Sequence, residues 1–386
     1  MPNVLSPSTT PTHALPDGYR LRPAERADAA AAAALLARSF GRPWCAAHWR
    51  WKLFDGPAGR CDVPRVWLVV DRDDRPAFHY AGLTLRGGGR ADAPAWEARV
   101  AVDGATAPDH RRRGLLSAAA GAIHARWAAA GVACVLGIPS ETFGSRRQAL
   151  GWLPQGALVW RLALRRPQRV ARRRLGALGR LVPPLPALGP RTARRRRADD
   201  AADALVVDSA TALGDVADAL DAFDARVDAW APAARPRRDA RWLAWRHLAA
   251  PDDDGTAARA PLHLIRRGPD GAIAAGAALR LTDTPSGRWG FVPWIEAVDN
   301  DALDALSAQL RSALDDADAT AAALLVAPGT AWARALARRG WRTAWGGPFG
   351  VHRIAGAVAD DGPAGRCDVP RVWLVVDRDD RPAFHY

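Results

Sequence analysis

The stretch Ala105–Ala122, ATAPDHRRRGLLSAAAGA, decides the fold. It reads as the end of a strand, a turn of three arginines and a glycine, and a helix that begins at once. Leu115, Leu116, Ala119, Ile123 and Trp127 recur at helical spacing, which predicts a helix from Leu115 to about Ala130. The first amides of that helix have no partner within it and its dipole is positive there, so the turn suits a phosphate or pyrophosphate. Gly114 permits close backbone approach, and Arg111, Arg112 and Arg113 add charge-assisted contacts. A solvated basic turn is the plainer reading of R-x-x-G alone; the strand before and the helix after set this one apart.

Outward from the turn, YRLRPA is a short strand, and Asp28 is placed to cap an alanine-rich helix ending in ALLARSF. VWLVV and AFHYAGLTL, joined by DRDDRP, form an antiparallel hairpin, and WEARVAVDGA leads toward the arginine turn. After the helix come the buried strand VACVLGI, a helix to Leu150 and the strand ALVWRLALR. The order is that of a mixed-sheet α/β (α+β) layer design.

A second half, starting near Ala201, follows the same order. It has a helix around DVADALDAFDARV, the WLAWRHL segment, and the strands LHLIRR, AIAAGAALRLTD and WGFVPWIEAV. The helix ALDALSAQLRSAL, the strand AAALLVA, another helix and the strand FGVHRI follow. A faint repeat supports the parallel. Trp51 precedes Pro57 by six residues, as Trp245 precedes Pro251; Lys52 and Arg246 directly follow the two tryptophans. Pro139 lies twelve residues before Gly151-Trp152, and Pro328 twelve before Gly340-Trp341. The offsets, 194 and 189, nearly agree, and chance matching among common residues is the alternative.

A second repeat is of another kind: residues 361–386 copy 55–80 letter for letter. Divergence does not leave 26 identities beside a weakly similar remainder, so the tail over 358–386 reads as an artefact or a recent duplication and is given no function.

The chain has 386 residues and a formal charge of +13, with 54 basic and 41 acidic residues. Thirteen arginines and no acid fall between Arg161 and Ala198, leaving 41 of each sign elsewhere. The excess therefore belongs to one segment, which argues against a basic nucleic-acid-binding face spread over a domain. Lys52 is the sole lysine. No apolar run is long enough to span a membrane, and the first residues have neither the basic start nor the apolar core of a secretory signal. Cys45, Cys61, Cys134 and Cys367 lack paired spacing, so no disulfide framework and no metal are expected, and a cytoplasmic setting follows.

The turn and its flanks resemble the GCN5-related N-acetyltransferase (GNAT) superfamily, whose acyl-CoA loop reads Q/R-x-x-G-x-G/A after a strand often ending in V-x-P. Thr106-Ala107-Pro108 is similar to the strand end, and Arg111, Arg112, Arg113, Gly114 and Leu115 to the loop. Leu116 departs from the final Gly/Ala, but with Ser117 it matches the variant R-x-x-G-[LI]-[FL]-S. LGIPSETFGSRRQALGW looks like the family's strand, proline, helix and Gly-aromatic ending, and the resemblance covers about Tyr19 to Arg165.

The resemblance implies transfer of an acetyl group from acetyl-CoA to an amine of a small molecule, an amino sugar being one guess, in a ternary complex. Amides of Arg111–Leu116 would cradle the CoA pyrophosphate, pantetheine would run along Ala105–Ala107, and the strand edge there would polarise the thioester. The expected cofactor-binding set is Thr106, Ala107, Arg111, Arg112, Arg113, Gly114, Leu115, Leu116 and Ser117. Many family members carry a Tyr acid where this chain has Arg147, a poor proton donor. Glu97, Asp103 and Glu141 are the catalytic carboxylate candidates, with an ordinary surface carboxylate the plainer reading of each, and His110 a base or phosphate contact, with a solvated loop histidine the plainer reading. Cys134 reads as a core thiol.

In the second half AVDNDALDALSAQL replaces the loop; Asp299 and Asn300 read as helix caps, and the half as a degenerate GNAT-like domain. The organisation implied is a disordered leader over 1–17, a catalytic domain over 18–165, a basic linker over 166–200 and a degenerate domain over 201–357. Trp44, Trp49, Trp51, Trp242 and Trp245 could stack on a sugar, with apolar packing the plainer account. Residues 168–182 form a basic amphipathic stretch, readable as a membrane-surface contact or as a docked linker helix. A non-catalytic acyl-CoA-binding scaffold, and a nucleic-acid-associated protein acting through the linker arginines, are the rivals.

Overall fold

Val66–Val70 are buried without interruption, which requires cover on both sides of the sheet that holds them. Val66, Leu68 and Val70 pack toward one helical layer with Leu35, Leu36, Trp49 and Leu53; Trp67 and Val69 pack toward another with Ile123 and Trp127. The computed structural model describes residues 14–57, 62–87, 96–137, 151–175, 204–207, 213–230, 237–248, 251, 261–284, 287–326 and 331–353.

The described residues of Met1–Gly156, Arg241–Arg259 and Pro348–Val369 make one compact unit. Its strands are β1 (Arg20–Pro23), β2 (Val66–Val70), β3 (Pro76–Gly87), β4 (Trp96–Thr106) and β5 (Cys134–Gly137). These pair in order, antiparallel throughout except that β4 and β5 are parallel. Helices α1 (Ala29–Phe40) and α2 (Ala46–Phe54) lie on one face; α3 (Leu115–Ala129) lies on the other.

The second unit carries β6 (Trp152–Leu164) from Ala157 onward, α4 (Pro167–Leu175), β7 (Ala204–Val207) and α5 (Ala217–Trp230). Helix α6 (Ala240–Leu243), which from Arg241 belongs to the first unit, continues into a π-helical turn, Ala244–Leu248. Then come β8 (Leu262–Arg267), β9 (Ile273–Thr284), β10 (Gly287–Ala297), α7 (Asn300–Asp316), β11 (Ala321–Val326), α8 (Ala331–Arg338) and β12 (Arg342–Arg353). Strands β7 to β11 repeat the pattern of β1 to β5, with β10 and β11 parallel.

Each sheet takes its last strand from the other half of the chain. Gly350–Arg353 of β12 pair antiparallel with β5, and Val159–Leu164 of β6 pair antiparallel with β11. The compact units therefore differ from the ranges 18–165 and 201–357 read from the sequence, because strand pairing and not chain position closes each sheet. The 189-residue offset reappears in the geometry: register breaks fall at Val102/Ala105 in β4 and at Phe291/Trp294 in β10. Gly151 and Gly340 both hold left-handed φ, +76° and +89°, ahead of buried Trp152 and Trp341. Gly340 donates to Ala337 and Trp341 to Leu336, the pattern that closes a helix C-terminus.

Two local expectations change. Asp28 precedes α1, but its carboxylate accepts from Arg22 and from the Glu25 amide instead of capping the helix, because a 3₁₀ turn at Arg26–Asp28 aims it backward. The chain is already placed from residue 14, and Leu15 packs against the α3-side core, inside the range read as leader. Of the 168–182 stretch, a helix is seen over Pro167–Leu175, and the remainder lies outside the described residues, as does 358–386. Arg166 and Arg169, at the start of that helix, are committed to Asp318.

Candidate functional site

Strand β4 ends at Thr106, a short turn follows over Pro108–His110, and α3 starts at Leu115. Arg112 and Gly114 both adopt left-handed φ, +64° and +77°. The first needs strain that a bulky side chain rarely accepts; the second needs glycine. No side chain caps α3, and its first turn holds no acid. The amides of Leu115, Leu116 and Ser117 thus point out of the helix end without an intrahelical acceptor. Arg111 through Gly114 are exposed.

The turn is braced from outside. Arg111 donates to the carbonyls of Thr106 and Ser39, and Arg113 to the Tyr19 hydroxyl and the Asp109 carbonyl. Tyr19 also bonds His110 Nδ1 at 2.8 Å, and His110 Nε2 stands 4.0 Å from Asp71, so His110 is half-buried bracing and not a solvated loop side chain. The donor set of guanidinium groups, backbone amides and a positive helix end fits a pyrophosphate.

Three residues before Thr106, Asp103 sits at the β4 bulge with φ +53°. On this strand Arg99 faces the α3 side, over Trp127, and strict alternation would send Asp103 there too. The extra residue re-aims it to the opposite face. There Lys52 Nζ lies 3.1 Å from both carboxylate oxygens, and both side chains are 5% exposed. His79 on β3 donates from Nδ1 to the Asp103 carbonyl at 2.8 Å and accepts at Nε2 from the Trp49 indole at 2.9 Å. The Trp49 bond fixes the neutral tautomer, and burial, followed by the nearby Lys52 charge, pulls His79 down to about 4 against the lift from the Asp103 carbonyl. Trp49, His79 and Lys52 therefore pin the bulge from three directions.

The structure keeps the other carboxylates apart from this place. Glu97 lies at the start of β4, six residues from Asp103, buried and 2.7 Å from Arg99 on its own strand. Neither Glu97 nor Asp103 is a surface carboxylate. Glu141, like Arg147, lies outside the described residues. Cys134 is half-buried. The tryptophans mostly pack: Trp49 and Trp51 are buried, and Trp51 stacks on Trp245 with centroids 5.4 Å apart. Each of that pair donates its indole N–H to the other's carbonyl, at 3.0 and 3.1 Å, so the two repeat-related residues meet across a local two-fold. Sequence reading missed His79 and Lys52; the signal was the solitary lysine.

The second half places Asp299 where the arginine turn would be. Its carboxylate accepts from the Ala302 amide at 2.7 Å and closes the N-terminus of α7. Among the described residues no group of His, Cys, Asp and Glu could hold a metal.

No protein-family model matches the chain, and no curated protein is significantly similar to it in sequence. Solved structures are similar in fold. A conserved protein of unknown function from Enterococcus faecalis V583, described as a probable N-acyltransferase, superposes with a TM-score of 0.59 at 12% identity, over 87% of this chain and 73% of that one. A GCN5-related N-acetyltransferase from Kribbella flavida gives 0.55 at 13% identity, over 86% and 70%. One from Anabaena variabilis ATCC 29413 gives 0.56 at 9% identity, over 87% and 72%. The chain has the GNAT fold. Coverage of this extent spans both units, so the GNAT architecture is present in tandem, and among the described residues the arginine turn stands in the first unit alone.

Proposed function

We propose that the chain is an acyltransferase that moves an acetyl group from acetyl-CoA to an amine of a small molecule by direct attack in a ternary complex. The observation that carries this reading is the start of α3: an uncapped helix end behind two left-handed residues, Arg112 and Gly114, following a strand, β4, that is bulged three residues before its end. In this reading the amides around Gly114–Ser117 and the three arginines hold the pyrophosphate. Thr106 and Ala107 lie along pantetheine, and acyl-CoA supplies the activated thioester. Asp103, the carboxylate nearest the turn along the strand, is the base; Glu97 is committed to Arg99. The second unit, with Asp299 closing α7, binds no second CoA.

The test is Gly114→Glu. A Cβ at Gly114 meets no atom within 4 Å, so the side chain has room, and the left-handed strain costs about 1–2 kcal/mol. Acetyl-CoA affinity by calorimetry should fall at least 100-fold while the circular dichroism spectrum keeps its folded form. Unchanged affinity would refute the site. Arg147 in place of the usual tyrosine favours a second reading, an acyl-CoA-binding protein without turnover. Free CoA released against amino sugars, polyamines, amino acids and peptides separates the two.

A further inference from the structure

Lys52 is the one lysine of this chain; the other 53 basic residues are arginines. It stands in a buried ion pair, and pairing alone does not explain it. Elsewhere the same protein meets buried carboxylates with arginine: Arg99 with Glu97, and Arg238 with Glu296 at 2.7 Å. A guanidinium serves that purpose better, having a planar fork that matches a carboxylate. What an ammonium does and a guanidinium does not is pass a proton to a thiolate of comparable basicity.

The second half of the chain supplies a control. Register at the two bulges makes Val292 the counterpart of Asp103 and Ala278 that of His79. The 194-residue offset makes Leu243 and Arg246 the counterparts of Trp49 and Lys52. Every member of the network is absent from the half whose helix end is closed by Asp299, and lysine has become arginine. Among the groups that face Lys52 are Asp103 from β4, His79 from β3 and the Trp44 ring, 5.7 Å away, which Arg42 also approaches.

We propose that Lys52 and Asp103 are the proton-handling pair of the acyl transfer, doing together what the missing tyrosine does elsewhere. The proposal rests on the acyl-CoA reading above. Asp103 takes a proton from the acceptor ammonium, and the freed amine attacks. The nitrogen–carbon bond forms, the carbon–sulfur bond breaks, and Lys52 gives a proton to the departing thiolate. The nitrogen loses its second proton to solvent. Asp103 then returns its proton to Lys52 across their 3.1 Å contact, and one proton in all is released. His79 and Trp49 are positioning residues that hold the bulge.

A single lysine makes the test direct. Lysine labelled with ¹³C and ¹⁵N gives the full-length protein one lysine side-chain spin system. Saturating CoA should shift its Cε and Nζ signals, and desulfo-CoA should shift them less. Lys52→Arg, which keeps the charge, should lower kcat at least 100-fold, leave KM for acetyl-CoA within threefold and remove one limb of the pH–kcat profile. Bound CoA with an unmoved lysine signal, or a Lys52→Arg enzyme keeping half its kcat, overturns the proposal alone. No CoA binding by calorimetry overturns it together with the reading it rests on. If Lys52→Arg does not fold, the wild-type spectra decide.

Discussion

Helices α3 and α7 follow bulged strands of the same pattern, and they begin in opposite electrostatic states. The first starts behind three arginines and a glycine with its amides open; the second starts behind Asp299, whose own carboxylate fills an amide. The first bulge is held by His79, itself bonded to Trp49, and by the Lys52–Asp103 pair; at the second bulge Ala278 and Val292 stand where His79 and Asp103 do, and the sequence offset matches Trp49 and Lys52 to Leu243 and Arg246. A duplicated architecture thus keeps its backbone device, while the uncapped helix start and the Lys52–Asp103 pair at the bulge stand in the first copy.

The comparison breaks most severely at His79. His79→Ala should copy the second half's Ala278 and strand the Trp49 indole and the Asp103 carbonyl, costing on the order of 3–5 kcal/mol. Urea unfolding checks this, and a loss under 1 kcal/mol would mean that the network does not hold the bulge. Acidification is the next largest effect. His79 is held neutral well below its ordinary 6.5, at about 4, by burial and then by Lys52. A depressed pKa contributes stability above pH 6.5 that is lost as pH falls toward 4, here about 3 kcal/mol. Wild type and His79→Gln should therefore converge in stability between pH 7 and pH 4; a constant gap would sink the assignment. Smallest is the cap: Asp299→Ala should cost about 1 kcal/mol in thermal unfolding and leave acetyl-CoA affinity untouched. A drop in affinity would show that the second helix end takes part in binding.

Much of this was legible in the chain. Helical spacing fixed α3 within a residue, alternating and continuous apolar runs marked the strands, and the glycine turn stood out because phosphate binding needs that backbone. Asp299 was readable as a cap because capping is a local matter. The site's polar network was not readable. Lys52 and Asp103 are 51 residues apart, and nothing local links them. Glu97 and Asp103 share a strand and a parity, yet one is paired with Arg99 and the other turned to the far face.

By itself the sequence determined the order of elements, the arginine–glycine turn and the loss of that turn in the second half, since each depends on neighbours a few residues apart. The tertiary structure alone decided which strand closes each sheet and which way Asp103 points. Both depend on strand register, and one extra residue in a ladder moves a side chain to the opposite face of the sheet.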